Sequence, residues 1–278
     1  MDASARVSID HTSCGAQDPS PRFNPLEYLS ELIGTGFNLF VGLSAAVFNF
    51  APNLWPQAHL PSQSMRLLIT GLIFAGSGSL FAISPLGKLS GAHINPAVSL
   101  AFLIRGKMHL HDFIWYVISQ FIGAILGAFL LVWIWHGLAG AINNGMTEVG
   151  TGHTLPFAFL AETVMTFLLV FAIFSFLSVK RLTRWTPLMT WILVAILVWQ
   201  GAAITGTSLN PARSFGPALV SWNFRDQWIY WLAPPLGSLL AVWTFRFADA
   251  ERKVLTAKLF HAPEYPSIFK RVHLPCKR

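Results

Sequence analysis

Apolar residues in this chain gather in long runs separated by short polar connections. Six runs, at about 31–51, 67–86, 113–135, 156–179, 186–204 and 228–248, each approach the ~20 residues a helix needs to cross a bilayer. Ahead of the first run, residues 1–24 mix Asp, Ser, Pro, Gln and Gly, a composition that predicts weak order. Beyond the last run, Ala248 to Phe260 predicts a helix that breaks at Pro263, Pro266 and Pro275. The pattern divides the chain into a tail at 1–25, a membrane body at 26–248 and a second tail at 249–278. It predicts an all-α membrane protein with six transmembrane helices.

Two polar interruptions carry the same tripeptide, Asn95-Pro96-Ala97 and Asn210-Pro211-Ala212, the second followed by Arg213. Asn is a favoured helix N-cap, and Pro suits the first helical position because its missing N–H would be unpaired there anyway. Each tripeptide therefore predicts the start of a short helix, Ala97 to Ile104 and Ala212 to about Val220, with Pro217 marking a kink or end of the second. A helix start at membrane depth is costly unless it lines a water-filled path or is buried in protein.

The body also repeats. Glu31 and Glu162 sit near the start of the first span of each half, and Gly123 and Gly237 follow their Asn-Pro-Ala at nearly equal distances. Each half, about 26–136 and about 155–248, reads as span, span, half-helix, span. An odd number of spans makes the halves insert with opposite orientation, so the two half-helices enter from opposite sides and their N-termini meet near the midplane. Gly34, Gly36, Gly42, Gly71, Gly76, Gly78, Gly123, Gly127 and Gly237 lie in spans where small residues let helix backbones approach.

Composition agrees with this picture. Of 278 residues, 54% are hydrophobic and 11% charged, against about 25% charged in a soluble domain. The net charge of +7 does not point to nucleic acid. Its cations cluster at Lys88, Arg105 and Lys107, at Lys180, Arg181 and Arg184, and in the C-terminal tail, while 52–64 and 137–155 hold no Lys or Arg. The positive-inside rule places both termini in the cytoplasm of a multi-pass cell-membrane protein whose basic segments meet anionic lipid. Cys14 and Cys276, one in each tail, suggest neither a disulfide framework nor a metal site. The first apolar run is too long for a cleaved signal core. Ser, His and Asp do not cluster within any span, so no enzyme, cofactor or metal is expected.

The stretches Ser90-Gly91-Ala92-His93-Ile94-Asn95-Pro96-Ala97-Val98 and Asn210-Pro211-Ala212-Arg213-Ser214-Phe215-Gly216-Pro217, with the halved six-span layout, resemble the major intrinsic proteins, the aquaporins and aquaglyceroporins. The resemblance spans about 26 to 248 and implies an aquaporin-like inverted repeat, a homotetramer with one pore per subunit, and passive conduction of water or small uncharged solutes. Asn95 and Asn210 would donate amide N–H groups to the lumen where two positive half-helix ends converge and disfavour cations. Gly91, Ala92 and His93, with Thr205, Gly206 and Ser208, would line the path and offer carbonyls as a ladder. Glu31 and Glu162 would accept from the loops ahead of the half-helices.

By the resemblance Arg213 belongs to the narrow selectivity filter, and family spacing assigns it Ala75, Val198 and Thr207 as companions. Water-selective members have an aromatic and a His where this chain has Ala75 and Val198, which predicts a wider, less polar filter open to glycerol or to arsenous and boric acids. A shift of register in span two would instead let Phe74 or Phe81 fill the gap. Ser214, Ala218 and Tyr230-Trp231 look like the aquaporin branch and not the glycerol facilitators, which keeps a strictly water-selective channel as the alternative. A proton-coupled transporter built on Glu31 and Glu162 is the more distant one, because no third acidic group serves a coupling site.

Overall fold

The computed structural model describes residues 23–248 and 253–270, which contain helices and connecting turns and no strand. Cys14, Cys276 and most of the N-terminal tail lie outside the described residues. In chain order the helices are α1 (Pro25–Phe50), α2 (Trp55–His59), α3 (Gln63–Ile83), α4 (Pro85–Ser90), α5 (Pro96–Ile104), α6 (Leu110–Trp135), α7 (Gly137–Gly140), α8 (Leu155–Leu177), α9 (Thr186–Thr205), α10 (Pro211–Val220) and α11 (Gln227–Ala248). The long helices α1, α3, α6, α8, α9 and α11 fall on the six apolar runs, and the first five are long and apolar enough to cross a bilayer. α11 carries Pro234 and Pro235 in its interior, which membrane helices tolerate because neighbouring groups re-satisfy the freed carbonyls.

Helix starts follow local chemistry. Ser62 Oγ accepts from the Met65 N–H at the head of α3, and Ser84 Oγ accepts from the Gly87 N–H at the head of α4. Pro217 lies inside α10, which continues to Val220, so it does not end that helix.

The packing has two-fold character. α1 lies along α6 and α3, as α8 lies along α11 and α9, and α3 against α9 joins the halves. The half-helices cross over: α5 packs on α11 of the other half, and α10 on α6. Glycine lets two long helices cross closely in each half. A Cβ on Gly123 would collide with the Leu32 carbonyl and one on Gly237 with the Thr163 carbonyl, equivalent positions one residue after Glu31 and Glu162.

Polar groups are buried within the bundle while large apolar side chains cover its outside. Glu31, Gln120 and Glu162 are fully buried, whereas Trp133, Leu160 and Trp243 are 71%, 58% and 62% exposed. Hydrocarbon outside explains both, since a lipid-facing surface has no reason to be polar.

The C-terminal segment departs from expectation. The predicted helix over Ala248 to Phe260 does not extend through it: 253–260 is non-helical and the chain folds back onto the bundle. Its N–H groups are drawn to other elements, Leu255 to the Leu177 carbonyl (2.9 Å) and Leu259 to the Gly91 carbonyl (3.0 Å), in place of carbonyls four residues back.

Candidate functional site

The two Asn-Pro-Ala loops meet at the centre of the bundle. Asn95 Oδ1 accepts from the Ala97 N–H (2.8 Å), and Asn210 Oδ1 accepts from the N–H groups of Ala212 (3.0 Å) and Arg213 (3.3 Å). Each Asn therefore caps its own half-helix. The same side chains then cross between halves: Asn95 Nδ2 donates to the Leu209 carbonyl and Asn210 Nδ2 to the Ile94 carbonyl, both at 2.9 Å. A carboxamide has two N–H groups, so one on each Asn is engaged in this cross-link and the second is left for other partners.

The loops approaching the two Asn residues share an unusual backbone. Gly91 and Gly206 end α4 and α9 in left-handed conformation at φ +88° and +74°, where glycine bears no Cβ cost. Ala92, Ile94, Thr207 and Leu209 also have positive φ, at 54°, 42°, 46° and 56°. Such conformations cost about 1–3 kcal/mol each in side-chain-bearing residues and persist only where the surroundings over-determine them.

Two buried carboxylates supply that constraint. Glu31 accepts from the N–H groups of His93 (3.0 Å) and Ile94 (2.6 Å) and from Gln120 Nε2 (2.8 Å). Glu162 accepts from the N–H groups of Ser208 (2.7 Å) and Leu209 (2.9 Å) and from Thr205 Oγ1 (2.7 Å). Charged acceptors give the stronger class of hydrogen bond. Tyr116 Oη donates to the Ser90 carbonyl (2.7 Å) and Tyr230 Oη to the Thr205 carbonyl (2.9 Å), one support per half. The motif reading gave Gln120 and Tyr116 no role and used Tyr230 only as a mark of the aquaporin branch, although the offset that relates Gly123 to Gly237 also relates Tyr116 to Tyr230.

Two cavities flank the loops. The first is lined by Ala75, Ala92, His93, Asn95, Asn210 and Leu259, among others. The second is lined by Thr70, Val198, Gly206 and Thr207 among others. Phe74, Val194, Ser208, Leu209 and Arg213 border both, so the junction lies among them. Arg213 is held there by Nη1 donating to the Gly145 carbonyl (2.8 Å), and its guanidinium sits 5.7 Å from the centroid of the Phe74 ring. Its Nε has no hydrogen-bond partner among the described residues.

The sequence-assigned residues divide accordingly. Val198 and Thr207 reach the second cavity beside Arg213, with Thr207 Oγ1 donating to the Leu197 carbonyl (3.3 Å). Ala75 borders the first cavity only, and the ring facing Arg213 comes from the residue before it, Phe74. Gly42 creates room for that ring, since a Cβ there would overlap it. Ala92, His93, Gly206 and Ser208 border a cavity, whereas the carbonyls of Gly91 and Thr205 are taken by the Leu259 N–H and the Tyr230 hydroxyl.

Comparisons with known proteins agree with this geometry. The family description "Major intrinsic protein" matches residues 22–245. Aquaporin Z of Rhodopseudomonas palustris (strain ATCC BAA-98 / CGA009) is 32% identical over 237 residues, covering 82% of this chain and 95% of that protein. Aquaporin-5 of Mus musculus is 35% identical over 215 residues, 76% of each chain. The X-ray structure of the aquaglyceroporin from Plasmodium falciparum superposes with a TM-score of 0.66 at 23% identity, covering 80% of this chain and 95% of that one, a likeness of fold. With capped half-helices meeting head to head and a matched region that runs from the start of α1 into the last turn of α11, this chain belongs to the major intrinsic protein family, a multi-pass membrane family of passive channels for water or small solutes and not of enzymes.

Proposed function

We propose that the chain conducts water together with small uncharged solutes, along a path through the two cavities and past Phe74, Val198, Thr207 and Arg213. The observation that carries this reading is the composition of the junction: one arginine, one aromatic ring, and an aliphatic Val198 where a water-selective filter would hold imidazole. An isopropyl group is smaller than an imidazole and offers no donor, so the passage tolerates glycerol-sized or metalloid-acid solutes. The Phe74 ring restores part of the bulk that Ala75 lacks, and it favours the second reading, a strictly water-selective channel.

Proton and ion exclusion follows from the centre. The N-termini of α5 and α10 point at one another, and their positive ends disfavour cations between them. Asn95 and Asn210, with Oδ1 and one N–H committed to the protein, offer the second N–H to a passing oxygen. An oxygen that accepts from both must turn its own hydrogens outward along the path, which interrupts a proton-conducting chain. The same reading places both termini in the cytoplasm of a cell membrane, on the side of Lys88, Arg105 and Lys180. A homotetramer with one pore per subunit is the assembly it implies.

Stopped-flow light scattering on proteoliposomes separates the two readings. Permeation of glycerol or arsenous acid above protein-free vesicles supports the broader channel, and permeation of water alone supports the narrower. Phe74→Ala should raise the glycerol-to-water permeability ratio about tenfold, since steric discrimination by an apolar wall is worth ~1–3 kcal/mol. An unchanged ratio would show that the Phe74 ring does not form the constriction.

A further inference from the structure

The segment after α11 lies across the end of the first cavity. Residues 253–270 form no helix, yet Val254, Ala257, Lys258, Leu259, Ala262 and Phe269 are all buried. The segment is joined to the end of α8 through Leu255 N–H and the Leu177 carbonyl, and to the α5–α6 turn through Lys270 N–H and the Lys107 carbonyl (3.0 Å). Between these ends it passes over the first Asn-Pro-Ala loop. The Leu259 N–H takes the Gly91 carbonyl, and Leu259 lines the same cavity as Asn95 and Asn210.

His93 connects the segment to the site. Gln120 Nε2 donates to Ser99 Oγ (3.1 Å), Ser99 Oγ lies 3.1 Å from His93 Nδ1, and His93 Nε2 lies 2.8 Å from the Ala257 carbonyl. A carbonyl only accepts, so Nε2 carries the proton and a neutral ring receives the serine hydroxyl at Nδ1. Through Gln120 this chain reaches Glu31, which holds the loop. The Phe269 ring stacks on the imidazole with centroids 5.3 Å apart. The loop in turn has room for the segment: a Cβ on Gly91 would come within 3.0 to 3.2 Å of the Phe269 ring, the Ala257 carbonyl and Lys258.

Lys258 is the anchor. Its Nζ donates to the Lys88 carbonyl (2.7 Å) and the Pro266 carbonyl (2.6 Å), tying the segment to α4 and to its own returning limb. Burial pulls the ammonium down to about 8, with the charges of Glu27 and Glu264 opposing, so at neutral pH it stays charged and donates to both carbonyls. A buried ammonium held by carbonyls gives up hydration it would regain on exposure, which offsets part of what the two hydrogen bonds contribute to docking.

We propose that residues 253–270 are a built-in plug: docked as in this structure, the segment closes the cavity mouth on the side of the termini, and flux requires its withdrawal. On withdrawal, the imidazole N–H now held by the Ala257 carbonyl becomes a donor to the lumen, and the Gly91 carbonyl becomes an acceptor. The proposal rests on the channel reading, and it concerns the mouth of the first cavity and not the junction at Arg213.

The test uses full-length protein in proteoliposomes, with Lys258→Met, Phe269→Ala and Leu259→Ser made singly. Docking is followed by maleimide labelling of a thiol introduced by Ala257→Cys in a Cys14→Ser, Cys276→Ser background. The expected result is a protected thiol in the otherwise unsubstituted segment, exposed by Lys258→Met and by Phe269→Ala. Water permeability should rise about tenfold in both, as a population moves from about a tenth open to fully open, with the glycerol-to-water ratio unchanged. Leu259→Ser removes the side chain at the cavity end and should raise permeability even where a larger change prevents folding. Equal permeability with and without the substitutions overturns the plug, as does a fall in permeability or a thiol that reacts without them. Absence of conduction for every solute in every variant would instead count against the channel reading.

Discussion

Replacing Glu162 with leucine is expected to leave little folded protein. The carboxylate accepts from the N–H groups of Ser208 and Leu209 and from Thr205 Oγ1, at 2.7 to 2.9 Å, in a fully buried site. Hydrogen bonds to charged groups contribute about 1.5–3 kcal/mol each, and buried donors left unpaired cost a comparable amount. The loop they hold includes Thr207 and Leu209 at positive φ, so the strain there would lose its restraint as well. The sum is at least about 4 kcal/mol, a large share of the ~5–15 kcal/mol that stabilises a typical protein. Glu162→Gln should be milder, because one acceptor oxygen survives, although its NH2 faces N–H donors. Thermal unfolding of detergent-purified protein reads the difference. A Glu162→Leu protein that is monodisperse and melts within a few degrees of the parent would remove the loop-bracing role.

The second large effect is expected at the helix crossing next to that carboxylate. Gly237→Val puts a branched side chain where even a Cβ collides with the Thr163 carbonyl, with the Phe167 N–H and the Thr166 side chain close behind. A flexible side chain could move aside, but backbone cannot, so α8 and α11 must separate. Overpacking a tight core costs about 1–3 kcal/mol, and here the separation also displaces Glu162 from its loop. Loss of the folded, conducting form should follow. Gly137→Ala is the control: nothing lies within 4 Å of a Cβ there, and its melting temperature should match the parent. A Gly237→Val protein with parental stability and flux would show that the crossing can open without consequence.

Sequence and structure agree most closely where one dominant force acts. Long apolar runs became the long helices because a bilayer leaves the backbone no other partner than itself, and Asn95 and Asn210 begin short helices because capping is local chemistry. Two features were less legible, each for a physical reason. Spacing counts residues, but one residue along a helix is a rotation of about 100°, and the ring that meets Arg213 depends on how α3 is turned against Gly42. Spacing named Ala75, with Phe74 the neighbour that a shifted register would bring in, and the structure sets both beside the first cavity with the Phe74 ring nearer the Arg213 guanidinium. The C-terminal segment was hidden more deeply. Its order comes from the Gly91 and Lys88 carbonyls and from His93, all distant in sequence, and its own residues carry no periodicity that would report them. Local propensity then predicted a helix that tertiary partners override.

The crossed hydrogen bonds from Asn95 to the Leu209 carbonyl and from Asn210 to the Ile94 carbonyl bear on how the molecule is assembled. Neither loop can complete its bonding while its counterpart is missing, and each half-helix finds most of its packing on the other half, α5 on α11 and α10 on α6. The loop of the N-terminal half is therefore complete only with Leu209 in place, and the packing of α5 only with α11. A chain cut between α6 and α8 would regain its architecture only if the two fragments found each other, and a single half could do so only by pairing with an inverted copy of itself.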